Sequence, residues 1–149
     1  MSNIFYYLLA LIAGMGIAAQ GGINAQLRSA LGSPVMATLI SFLVGTIVII
    51  IYLLLFERTS FSTLSQVKSI ALYKLSGGII GALYVCGVII LAPKIGAANM
   101  LGLIVGGQMI LAVVLDHYGL LGFAQHSVNL YRIMGTILLI TGVVLIIKN

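Results

Sequence analysis

The sequence predicts an all-α integral membrane protein with five transmembrane helices, and three observations carry that prediction. Of 149 residues, 62% are apolar and only 6% are charged. Soluble domains run near half apolar and about a quarter charged, and seven Lys/Arg with two acids cannot coat a soluble domain of this size. Mean hydropathy is +1.26. Five separate stretches are each apolar for the roughly 20 residues that a helix needs to cross a bilayer.

The first span covers residues 4–26. It has no basic segment before it, and Gln20, Asn24 and Gln26 stand where a leader's small-residue cleavage site belongs, so it reads as a membrane helix rather than a cleaved signal. The second covers 34–56. Ser33 is its expected N-cap and Pro34 its first helical residue, restarting the chain after Gly32. The apolar run from Leu72 to Leu115 is too long for one span, and Pro93-Lys94 interrupts it. The expectation is a third span over 71–92, a tight hairpin, and a fourth span over 95–115. The fifth covers 130–147. Between spans two and three, residues 57–70 are Ser/Thr-rich with sparse apolar positions, which predicts a short interfacial helix. Residues 116–129 carry two glycines around an apolar pair and predict a folded turn. The whole chain, 1–149, is thus read as a single transmembrane domain.

Composition also excludes function classes. The net charge is +5, but the basic residues are scattered singly, so there is no nucleic-acid footprint. Cys86 is alone in an apolar run, which excludes a disulfide framework. His117 and His126 lie nine apart in a connection, and no metal-ligand spacing or Ser-His-acid arrangement accompanies them. No catalytic residue, cofactor or metal is expected, and the chain is not read as an enzyme.

Orientation follows Lys/Arg in short connections. One side of the membrane receives Arg58, Lys68, Lys74 and Arg132; the other receives Arg28, Lys94 and Lys148. Four against three is almost no bias. Either a single loop residue dominates, or the chain inserts both ways and pairs antiparallel with itself. The second case gives a ten-helix inverted repeat, a plan on which many secondary transporters are built.

The polar residues inside the spans point to where a solute could pass. Gln20, Asn24 and Arg28 are spaced by four and stack along one helix face. Amides there serve either as interhelical hydrogen-bond glue, worth about 1 kcal/mol each, or as the lining of a polar path. Three amides in seven residues favour the path. In the fourth span, Gln108, Ala112 and Asp116 repeat that spacing, with Asn99 on the opposite face. Gly102 and Gly106 form a G-x-x-x-G, a helix-packing seam either within one subunit or between two. No acid lies deep in a span, because Glu57 and Asp116 are both at helix ends. Asp116, beside His117, is the one candidate coupling residue. Arg28 and Arg132 are candidate anion-attracting groups, although arginines at helix ends commonly snorkel to the interface.

The segment Gln20-Gly21-Gly22-Ile23-Asn24-Ala25-Gln26-Leu27 resembles the first-helix signature of the five-helix YdcZ-type proteins of the drug/metabolite transporter (DMT) superfamily. Gly77-Gly78 with Gly81-Ala82, and Ala92-Pro93 followed by Gly96-Ala97-Ala98, continue the resemblance. Gly107-Gln108, the run Asp116-His117-Tyr118-Gly119, and Arg132 with Gly135 complete it over nearly the whole chain. The resemblance implies a multi-pass protein of the bacterial cytoplasmic (inner) membrane. It also implies kinship with four-helix multidrug exporters and with ten-helix transporters built from two five-helix halves. The four-helix exporters' first-helix glutamate has no counterpart here, so their proton-coupled mechanism does not transfer.

The expected function is secondary transport of a small molecule, by a homodimer in the lipid bilayer. Gln20, Asn24, Gln108 and Asn99 are the expected substrate path. The rival from another class is a non-transporting small subunit that stabilises or regulates a larger membrane complex.

Overall fold

The computed structural model describes residues 3–148, and of residues 58–61 the backbone alone. The chain forms two compact units that divide between Lys94 and Ile95. Five helices are long and apolar enough to cross a membrane.

In the first unit, α1 spans Asn3–Leu31 and α2 spans Pro34–Phe56. At 1.5 Å per residue, α1 is about 43 Å long, well beyond a hydrocarbon core of roughly 30 Å. The helix therefore runs past the apolar stretch that ends near residue 26. Good helix formers (Ala25, Gln26, Leu27, Arg28) follow the apolar run, and nothing breaks the helix until Gly32. Gly32 adopts φ +70° and donates its N–H to the Arg28 carbonyl at 2.8 Å, the left-handed C-terminal arrangement that glycine favours. Ser33 then caps α2, its Oγ accepting the Met36 N–H at 3.3 Å, with Pro34 in the first turn.

The Ser/Thr-rich connection is a 3-10 helix, Arg58–Ser69. Twelve residues is long for that conformation, which seldom exceeds four. Its serines match the three-residue turn: Ser65 Oγ donates to the Ser62 carbonyl at 3.0 Å, and Ser69 Oγ to that of Gln66 at 2.7 Å. A second short 3-10 turn, Leu72–Leu75, leads into α3, Ser76–Ile95.

The expected break at Pro93-Lys94 is not where the helix ends. Pro93 lies inside α3, and the helix stops at Gly96, whose φ of +80° suits glycine alone. Proline in the last turn removes one intrahelical bond without preventing that turn from forming, so glycine sets the boundary. The core of this unit is small. Ala37 of α2 and Ile89 of α3 are fully buried, Val85 nearly so, and Leu27 of α1 and Tyr84 pack against them.

In the second unit, α4 spans Ala97–Tyr118 and α5 spans Leu130–Ile147. Asp116 and His117 therefore sit in the last turn of α4 rather than in the connection. Gly119, in the left-handed conformation, ends the helix. Asn129 caps α5 by accepting the Arg132 N–H on its Oδ1 at 2.9 Å. Gly102 lies directly against α5: a Cβ there would be 3.2 Å from Cγ1 of Val143. Gly106, one turn on, is buried but has nothing within 4 Å of such a Cβ. It instead floors a groove of about 250 Å³ walled by Leu103, Ile110, Ile140 and Val144.

Candidate functional site

Two of the first-helix amides, Gln20 and Asn24, meet at one place. Gln20 is exposed and Asn24 is only 4% exposed, one turn along the same face. With Tyr84, Val85 and Val88 of α3 they line a cavity of about 10 Å³. That volume admits about one water and no organic solute. Asn24 makes no side-chain hydrogen bond among the described residues, although an amide offers two donors and two acceptor lone pairs. A neutral amide so placed can hydrogen-bond a polar solute without holding a charge in the membrane.

Gln108 and Asn99 belong to α4 in the second unit. Gln108 is exposed, Asn99 half-buried, and their nine-residue spacing sets them on opposite faces of the helix. Neither residue lines the cleft at Asp116 and Arg132 or the groove at Gly106.

Asp116 does not stand free. Its Oδ2 accepts from Nη1 of Arg132 at 3.1 Å, and the pair is about a third exposed. Arg132 Nη1 also donates to the His126 carbonyl at 3.3 Å. The His126 N–H donates to the Asp116 carbonyl at 2.8 Å. His117 fastens the same loop: its Nδ1 accepts the Val128 N–H at 3.2 Å, and its carbonyl accepts from Gln125 Nε2 at 3.1 Å. The expected folded turn is therefore a loop tied back onto the end of α4. Beside the ion pair is an open cleft of about 350 Å³, walled by Met109, Ala112 and Val113, with Thr136 at its polar end. Its size falls in the range of small-molecule sites. Helix periodicity does not pair Asp116 with Arg132, which lie on different helices 16 residues apart. The available signal was two opposite charges at facing ends of helices joined by a short connection.

Arg28 has a definite task. Pro93 has no N–H, so the carbonyl four residues earlier, Ile89, lacks its helical donor. Arg28 Nη1 supplies one, at 3.2 Å, across from α1. The guanidinium thus satisfies a carbonyl of a fully buried residue and ties α1 to α3, which snorkelling alone does not describe.

A family model described as "Putative inner membrane exporter, YdcZ" matches residues 5–145. No curated protein and no solved structure matches the chain.

Proposed function

The chain belongs to the YdcZ family, whose description is "Putative inner membrane exporter", and from that premise we propose that two oppositely inserted copies together export a small molecule. One observation carries the reading. The cavity at the Gln20–Asn24 face within the first unit holds about 10 Å³, yet the face presents an exposed glutamine beside a buried asparagine without a side-chain partner among the described residues. At that face the first unit has the hydrogen-bonding groups of a path and no room for a solute. A second copy facing this side supplies the missing wall. Gln108 and Asn99, on opposite faces of α4, are the further neutral hydrogen-bonding candidates, in the second unit. Asp116 acts in coupling only when it exchanges Arg132 for another partner. The near-balanced Lys/Arg count supports opposed insertion.

The test pairs stability with binding. A thermal-shift screen of metabolites and cationic drugs on the detergent-solubilised protein identifies ligands. Efflux from liposomes containing the purified protein then separates a transporter from a non-transporting subunit. Asn24→Ala is expected to leave the melting temperature nearly unchanged and to weaken ligand binding about tenfold, the loss of one good hydrogen bond. Asn24→Leu overfills the small cavity and is expected to abolish binding. A drop in melting temperature with unchanged binding would assign Asn24 to helix packing and remove it from the path.

A further inference from the structure

We propose that the cleft between the C-terminal ends of α1 and α3 is a binding site for a phosphate group. The cleft holds about 440 Å³ and is lined by Ala25, Arg28, Ser29, Gly32, Pro93 and Lys94. Two cations therefore face one space whose remaining walls are small. Neither cation has a carboxylate partner among the described residues. The only acid of the first unit, Glu57, caps the opposite end of α2, about 34 Å along that helix. No carboxylate of the first unit therefore neutralises the two cations, which meet only the partial negative charge of the helix C-termini.

The donors also suit phosphate. Arg28 is held by the bond from Nη1 to the Ile89 carbonyl, which fixes the guanidinium while leaving the rest of its five N–H donors for another acceptor. A pre-positioned planar fork loses less freedom on binding phosphate oxygens than a free side chain does. Lys94 is exposed and adds a mobile point charge. Ser29 contributes no donor, since its hydroxyl already donates to the Ala25 carbonyl at 3.1 Å.

Placement agrees with the chemistry. Both cations end membrane-spanning helices on the same side of the bilayer, at the level where lipid phosphates lie. A phosphodiester of an anionic lipid and a soluble phosphate ester would present the same oxygens. Arg28 lies one turn beyond Asn24 on the same face of α1, but the cleft's lining shares no residue with the small cavity at Gln20 and Asn24.

Native mass spectrometry of the full-length protein can measure retention of phosphatidylglycerol and phosphatidylcholine. Competition by inorganic phosphate and glycerol phosphate distinguishes the two sources. Lys94→Gln leaves Arg28 and its structural bond in place, and Lys74→Gln removes the same charge at another site. Lys94→Gln is expected to weaken binding of the phosphate-bearing probe about fivefold, with Lys74→Gln within twofold of wild type. Displacement of the lipid by soluble phosphate assigns the site to soluble esters, and persistence of the lipid assigns it to headgroups. Wild-type binding by Lys94→Gln, or equal losses in the two variants, would overturn the proposal.

Discussion

Arg28→Ala is expected to destabilise the protein by about 1–3 kcal/mol, and Pro93→Ala to recover most of that loss in the double variant. The cost is the desolvation of a buried carbonyl left without a donor. Ile89 is fully buried, and its carbonyl takes the Arg28 Nη1 bond because Pro93 cannot supply the intrahelical one. Alanine at position 93 returns the missing N–H, so the same carbonyl is satisfied within α3 and the arginine is no longer needed. Pro93→Ala alone should be neutral or stabilising. Thermal melting of the three variants in detergent measures the cycle. Additive effects would show that the two residues act independently and that the arginine's worth lies elsewhere.

The second large effect separates the two glycines of α4. Gly102→Leu is expected to cost about 1–3 kcal/mol of stability, because even its Cβ would press on Val143 at 3.2 Å and packed seams tolerate added volume poorly. Gly106→Leu meets nothing within 4 Å at its Cβ and enters the groove beside Ile140 and Val144. That substitution is expected to spare folding and to reduce self-association about tenfold, since filling the groove prevents close approach of another backbone. Crosslinking and size measurements on both variants decide it. Unchanged association in Gly106→Leu would leave the whole seam to contacts within one chain.

The membrane class and the five helices were legible because hydropathy over about 20 residues is an additive property that no local detail reverses. Ser33-Pro34 marked the start of α2 for a local reason as well: cap and proline act on their immediate neighbours. The end of α3 was misread at Pro93, since proline's effect in a last turn depends on whether another group replaces the lost bond. Arg28, 61 residues from Ile89, does so, and sequence spacing carries no trace of that contact. The Asp116–Arg132 pair escaped for a related reason. Its geometry depends on how residues 119–129 fold, and Leu121 adopts φ +56°, a conformation unusual for leucine. On the amide face, the spacing of Gln20 and Asn24 was legible as a shared stripe. That one is exposed and the other nearly sealed against Tyr84, Val85 and Val88 depends on α3, which periodicity in α1 cannot reveal.

The claim that two oppositely inserted copies make one path rests on orientation, and orientation can be read in the membrane directly. A reporter pair fused after Asn149, one active only in the cytoplasm and one only outside it, measures the fraction of chains in each orientation in intact cells. Arg58, Lys68, Lys74 and Arg132 on one side against Arg28, Lys94 and Lys148 on the other predict comparable signals from both reporters. The same balance predicts that one or two lysines added near Lys94 drive the population to a single orientation. Signal confined to one side in the wild-type chain would contradict the antiparallel pair.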